Sequence, residues 1–389
     1  MHELPAFALA HSHAFQRGMR GRAQRPTPGQ ADDFWGWREA MYGLAASLTP
    51  QSIYDISLVA YRELARAGVL TIGEFHYVHH QPDGTPYADR LVMSEAVIRA
   101  AKDAGLRIAL LRVLYARAGA GKTPTGAQLR FCDESLERGL ADIAALGARY
   151  ANDPDVRVGV APHSVRAVPP AWLGEIARFA AERRLPVHMH VAEQPAEIEA
   201  CLAETGRRPV ELLGDHGVLS DRFVAVHATH ITPGEARLLG AAASFICLCP
   251  TTERDLGDGL PDVGTMVAER VRLCLGVDSY VMSDPFEEMR GVVLGERLRT
   301  GRRFGPWTAP AEAIWQSAST VGALALGFPD AGGIVETVTE GPAIELVNQG
   351  DRLDALVFSG SPALVTRVVT RVRPGPSNVL LGSKGRDTP

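Results

Sequence analysis

Short apolar runs rich in β-branched residues recur along the chain. Each is followed by a longer stretch with apolar residues at helical spacing. The runs are "AFALAH" (6–11), "VLTIGEFH" (69–76), "RIALLRVLY" (107–115), "VRVGVAPH" (156–163), "PVHMHVAE" (186–193), "FVAVHATH" (223–230), "ASFICLCP" (243–250) and "RLCLGVDS" (272–279). Helices are predicted at 51–68, 90–105, 133–151, 170–184 and 195–205, and after the last run at 284–301 and 310–327. The first two stretches end in Gly, the residue that most readily closes a helix. Near-continuous apolar strands alternating with helices predict parallel strands covered by helices. Eight such units predict an α/β fold of the TIM type, a (β/α)8 barrel over residues 1–327. An open doubly wound sheet is the competing fold, but no G-x-G-x-x-G follows the first run. From 328 to 389 the pattern changes to β-branched residues and Gly, which reads as several short strands, a small β appendage, with a loose tail at 374–389.

Polar residues capable of chemistry gather at the ends of these runs. His11 and His13 close the first, Glu74, His76 and Tyr77 the second. His163 and Arg166 follow the fourth, His190 and Glu193 the fifth, His227 and His230 the sixth, and Asp278 the eighth. The C-terminal face of an α/β barrel carries the active site. Buried imidazoles and carboxylates cost free energy unless paired or coordinated, so core packing alone does not explain six strands ending this way.

Composition narrows the field. The chain has 389 residues, 46% hydrophobic and 22% charged, with net charge −5. Its pI is about 6.2. No basic patch favours nucleic acid, and no run is long enough to span a bilayer, so a cytoplasmic enzyme of small molecules is expected. The cysteines (Cys132, Cys201, Cys247, Cys249, Cys274) are odd in number and scattered, which argues against a disulfide framework. Cys247 and Cys249 sit in an apolar run and read as core or pocket-lining thiols.

Metal ligation fits the strand ends. Residues i and i+2 of a strand share a side, so His11 and His13 can chelate one ion. A third imidazole from the fifth strand and the carboxylate of Asp278 complete an N3O set with room for a water, the open geometry of a catalytic zinc site. On the fifth strand both His188 and His190 can face inward. His190 is nearer the strand end and is the preferred ligand, with His188 as a buried, hydrogen-bonded residue.

With those residues in place, the chain resembles the amidohydrolase superfamily and, within it, the N-formimidoyl-L-glutamate deiminases. The matching stretches are "HSHAFQRGMRG" (11–21), "TIGEFHYVHH" (71–80), "APHSVRAV" (161–168), "HMHVAEQPAEIEAC" (188–201), "VHATH" (226–230), "CPTTERDLGDG" (249–259) and "GVDSYVMSDPFEEMR" (276–290). The resemblance implies that His11, His13, His190 and Asp278 hold a metal, zinc or another divalent ion such as iron. It implies one ion per chain, because the fourth strand carries neither the Lys nor the Glu that bridges a second. It further implies that Glu193, His227 and Asp278 handle protons. Gln16, Tyr77, His163 and Arg166, with Arg38 of "FWGWRE", would hold the glutamate part of an amino-acid-derived substrate. A homodimer is compatible with this reading.

Several residues carry weaker signals. His79, His80 and His216 read as exposed or structural, and His230 as a satisfied loop histidine. Glu74 reads equally as a pocket residue or the partner of a nearby Arg, Trp35 and Trp37 as packing, and "GDG" (257–259) as a turn. The chain also departs from the family pattern. Family members carry a β segment before the first barrel strand, whereas here that strand follows Met1 within a few residues. The appendage is therefore expected to be an incomplete β sandwich whose C-terminal strands lack a pairing partner. Val277 and Tyr280 replace the usual Ser and His beside the metal Asp. The competing functions are an aminohydrolase of purine- or pterin-like heterocycles and a truncated, inactive barrel that only binds ligand.

Overall fold

A computed structural model of the chain describes residues 2–24 and 34–370, together with the backbone but not the side chains of His2, Phe34 and Trp35. The tail predicted at 374–389 lies outside the described residues. Strand β1 (His2–Pro5) belongs to the appendage. The barrel strands are β2 (Phe7–Leu9), β3 (Val69–His76), β4 (Arg107–Leu114), β5 (Val156–Pro162), β6 (Val187–Val191), β7 (Phe223–His227), β8 (Phe245–Leu248) and β9 (Arg272–Leu275). They pair in parallel in that order, each with its neighbour in sequence. The ring closes between the first and last: the Ala10 N–H donates to the Leu275 carbonyl at 2.6 Å, and Ser12 and Asp278 form a parallel bridge. All eight predicted runs are therefore barrel strands.

The helices form where the chain supplies ends for them. Thr49 caps the helix Pro50–Arg66 by accepting from the Ser52 N–H, and Gly68 then turns the chain at φ 97° into β3. Asp284 caps Pro285–Thr300 through the N–H groups of Phe286 and Glu287. The stretch predicted as one helix over 310–327 is two, Pro310–Ser317 and Thr320–Ala325, with Ser319 between them outside helical geometry. The second of these presses on the barrel so closely that a Cβ on Gly322 would meet the Ala8 carbonyl oxygen.

The appendage departs from expectation in two ways. β1 pairs antiparallel with β10 (Gly333–Thr337), and β10 with β11 (Val365–Thr370), giving a three-stranded sheet drawn from both ends of the chain. The strand after the barrel thus has the partner the sequence was expected to lack. Between β10 and β11 the chain forms a helix, Arg352–Ser359, rather than another strand; Leu353, Leu356 and Val357 give it an apolar face at i, i+3 and i+4.

Candidate active site

The His-x-His pair lies just past the end of β2, and its shape is set from the side. Ser12 points away from its two neighbours, and its hydroxyl reaches both the Gly73 carbonyl (3.0 Å) and Glu74 Oε2 (2.6 Å). Glu74 Oε1 accepts from the Ala14 N–H at 2.8 Å. Among the described residues Glu74 lines neither of the two cavities of the site and bonds Ser12 and the Ala14 N–H rather than an arginine, the two roles the sequence had suggested; it clamps the turn that carries His11 and His13. Burial pushes its carboxyl up to about 7, against the pull of the Ser12 and Ala14 bonds.

One donor set converges between the strands. A ligating atom from each of His11, His13, His190 and Asp278 lies within 4.8 Å of all the others, and all four residues are buried. Asp278 Oδ1 is 3.3 Å from His11 Nε2 and 3.2 Å from His13 Nε2, and His11 Nε2 is 3.2 Å from His190 Nε2. The outer nitrogens fix the tautomers. His13 Nδ1 faces the Phe75 carbonyl at 2.9 Å and His190 Nδ1 faces the His163 carbonyl at 3.0 Å. A carbonyl only accepts, so each Nδ1 must carry the proton and each Nε2 presents a lone pair to the centre. Burial holds His11 and His13 well below the ordinary histidine range, and burial and then His227 bring His190 to about 3. Neutral imidazoles with lone pairs facing a carboxylate fit a divalent cation. His188 faces elsewhere, with Nε2 3.0 Å from the Ala325 carbonyl.

His227 reaches the same centre by a different route. In the β6–β7 register His190 is opposite Val226, and Val191 opposite His227. Regular alternation would aim His227 away from His190. Instead His227 has φ 67°, a left-handed conformation that turns its ring back, so that Nε2 lies 3.7 Å from Asp278 Oδ2 and 3.8 Å from Glu193 Oε1. Asp278 is itself left-handed, at φ 49°. Such strain, of order 1–3 kcal/mol per residue, is found where function over-determines the backbone. Glu253 holds the far side of the ring: its Oε1 accepts from His227 Nδ1 (3.2 Å) and from the Cys249 N–H (2.8 Å). Burial disfavours the imidazolium, but Glu193, Glu253 and further anionic neighbours outweigh it and hold His227 well above its usual range. Burial raises the Glu193 carboxyl, with His227 opposing.

Beside the centre is a small chamber of about 50 Å³, lined among others by His13, Gln16, Arg38, Tyr77, His163, Arg166, Glu193 and Asp278. It shares Arg38, Tyr42, His163, Arg166, His190 and Glu193 with an outer cavity of about 860 Å³. The predicted site residues are thus brought to one place. Gln16 Nε2 donates to the Tyr77 hydroxyl at 2.8 Å, and Arg166 Nη1 to the Tyr115 hydroxyl at 3.1 Å. Arg38 comes from the helix Phe34–Ser47, its guanidinium 5.4 Å from the Tyr42 ring centre. The sequence reading assigned no part to Glu253, Tyr42 or Tyr115, and read Trp37, which lines the chamber, as packing. Glu253 stands in the "CPTTE" stretch already singled out, and that was its only signal. His79 and His80 are buried, and His230 Nε2 meets the Asp258 carbonyl at 2.7 Å.

A sequence profile of the amidohydrolase family matches residues 4–337. The chain belongs to the amidohydrolase family. It is 38% identical over 369 residues to a formimidoylglutamate deiminase of Pseudomonas aeruginosa, covering 92% of this chain and 76% of that protein. It is 30% identical over 336 residues to an 8-oxoguanine deaminase of the same organism, covering 83% and 72%. Among solved structures, an amidohydrolase from Brucella melitensis superposes with a TM-score of 0.86 at 34% identity, over 95% of this chain and 85% of that one. This amidohydrolase is a hydrolase of C–N bonds. No helix among its described residues is long and apolar enough to cross a membrane.

Proposed function

We propose that this amidohydrolase hydrolyses N-formimidoyl-L-glutamate to N-formyl-L-glutamate and ammonia, a step of histidine breakdown, with one zinc ion held by His11, His13, His190 and Asp278. The observation that carries the reading is a chamber lined by three members of this donor set, His13, His190 and Asp278, and by two arginines, Arg38 and Arg166. A substrate with two carboxylates needs cations at a distance from the reacting carbon, and Arg presents the fork that matches a carboxylate. Gln16, Tyr77 and His163 supply further polar contacts.

A divalent cation in this site supplies a water acidic enough to attack near neutral pH. Asp278 accepts a proton from the attacking water. Glu193, whose carboxyl burial raises, delivers a proton to the imine nitrogen and favours departure of ammonia. His227, held cationic, stabilises the charge that develops at the reacting carbon's substituents. One water is consumed, the carbon–nitrogen double bond becomes a carbonyl, and one ammonia leaves.

The aromatic lining by Trp37, Tyr42, Tyr77, Tyr115 and Phe131 supports a second reading, a planar heterocycle as substrate. Ammonia release by zinc-loaded protein from N-formimidoyl-L-glutamate, beside a panel of purines and pterins, separates the two. Turnover of a heterocycle that survives Arg166→Ala, with none of formimidoylglutamate, overturns the first reading.

A further inference from the structure

Asp278 has two oxygens, and the site uses them on opposite sides. Oδ1 faces His11 and His13; Oδ2 faces His227. Cys249 Sγ forms a buried group with a His227 nitrogen and an Asp278 oxygen in which all three atoms are within 4.8 Å of one another. Cys249 is fully buried, and a Cβ on Gly276 would come within 2.9 Å of its sulfur, so the thiol has little freedom to swing away. His227 is also prepared as a ligand. Its Nδ1 is bonded to the Glu253 carboxylate, the outer-shell arrangement that aims the Nε2 of a metal-bound histidine.

We propose that His227, Cys249 and Asp278 form a second cation site, selective for thiophilic ions such as cadmium or excess zinc, and that filling it inhibits the enzyme. Sulfur, imidazole and carboxylate with one water make a four-coordinate set suited to these ions and poorly suited to magnesium or calcium. Binding displaces the Cys249 thiol proton and any proton on His227 Nε2 to solvent. A second ion there would share the Asp278 carboxylate with the ion of the first site. Inhibition follows because a second ion there would occupy His227 and the Asp278 carboxylate, two groups to which the proposed reaction assigns charge stabilisation and proton transfer.

The test uses full-length protein loaded with one zinc per chain and titrated with cadmium chloride. Three readouts are followed: metals bound per chain after buffer exchange, the ultraviolet thiolate-to-cadmium absorption band, and ammonia release. The first two do not depend on the substrate assignment, so they stand if that assignment fails. The expected result is one additional cadmium per chain, appearance of the band, and at least a tenfold loss of activity. In Cys249→Ser and Cys249→Ala the extra cadmium and the band are lost, basal activity stays within about twofold, and activity survives the cadmium that silences the parent. Cys247→Ser, altering another buried thiol of the same core cluster, behaves as the parent. The proposal is overturned if cadmium only replaces the zinc one for one, if a second ion binds without a thiolate band, or if the Cys249 variants are inhibited as strongly as the parent.

Discussion

Glu253 lines neither cavity, so changing it acts through the two groups it holds, His227 and the Cys249 backbone. Its Oε1 accepts two hydrogen bonds, from His227 Nδ1 at 3.2 Å and from the Cys249 N–H at 2.8 Å. Glu253→Gln keeps the shape and leaves a carbonyl oxygen able to accept both, removing only the charge. A hydrogen bond to a charged group contributes about 1.5–3 kcal/mol and a neutral one about 0.5–1.5, so the change weakens the hold on His227 by about 1–1.5 kcal/mol. At about 1.4 kcal/mol per factor of ten, kcat should fall about tenfold if His227 stabilises the transition state. KM and zinc content should stay where they are. Glu253→Ala is a different perturbation: it strands two buried donors at about 1–3 kcal/mol each and should lower stability by about 2–6 kcal/mol. Steady-state ammonia release and thermal unfolding of zinc-loaded protein measure both. A Glu253→Gln enzyme with parental kcat, or one with raised KM and intact kcat, would refute the view that Glu253 acts by positioning His227.

Arg166→Ala should raise KM for formimidoylglutamate about ten- to a hundredfold, the loss of one charged hydrogen-bonding group, with Arg166→Lys recovering little because the fork is lost; steady-state kinetics decide. Glu74 should make stability fall with rising pH. Its folded value is about 7 against an ordinary 4.5, so the folded chain holds a proton that the unfolded chain releases. About 3 kcal/mol present below pH 4.5 is therefore lost by pH 7. Glu74→Gln, whose amide can donate to Ser12 and accept from the Ala14 N–H, should flatten that slope in denaturant titrations between pH 5 and 7. Arg112 is buried on β4, where it pairs with Asp133 at 2.6 Å and with Asp142 at 3.1 Å. Arg112→Ala leaves the buried Asp133 carboxylate uncompensated, Asp142 keeping Arg90 at 3.0 Å, and should cost about 3–5 kcal/mol in unfolding experiments, with KM unchanged.

The barrel was legible because each of its strands is a local event. An apolar run such as "VLTIGEFH" reads as a buried strand whatever surrounds it, and β3 occupies that run from Val69 to His76. The appendage was not legible, since the pairing of Leu4 with Val335 joins residues at opposite ends of the chain and leaves no local trace. The choice between His188 and His190 shows how far alternation goes. It places both on one side of β6, and only depth along the barrel separates them, with His188 bonded to the Ala325 carbonyl and His190 to that of His163.

Alternation fails at the point where the chemistry begins, and the reason is physical. A strand that stayed regular through β7 would have faced His227 away from the metal ligands, because its registered neighbour is Val191 and not His190. Bringing five side chains from four strand ends to one centre asks for directions that a pleat with period two does not offer. The chain supplies them by leaving the β conformation at His227 and Asp278, both at positive φ, without glycine at either place. Glycine there would ease the backbone, but it would remove the imidazole and the carboxylate. The strain is therefore the condition under which these two residue types can occupy these two positions. It also explains why sequence periodicity could nominate His227 and Asp278 by their chemistry and their place after a strand, yet not by the direction in which they point.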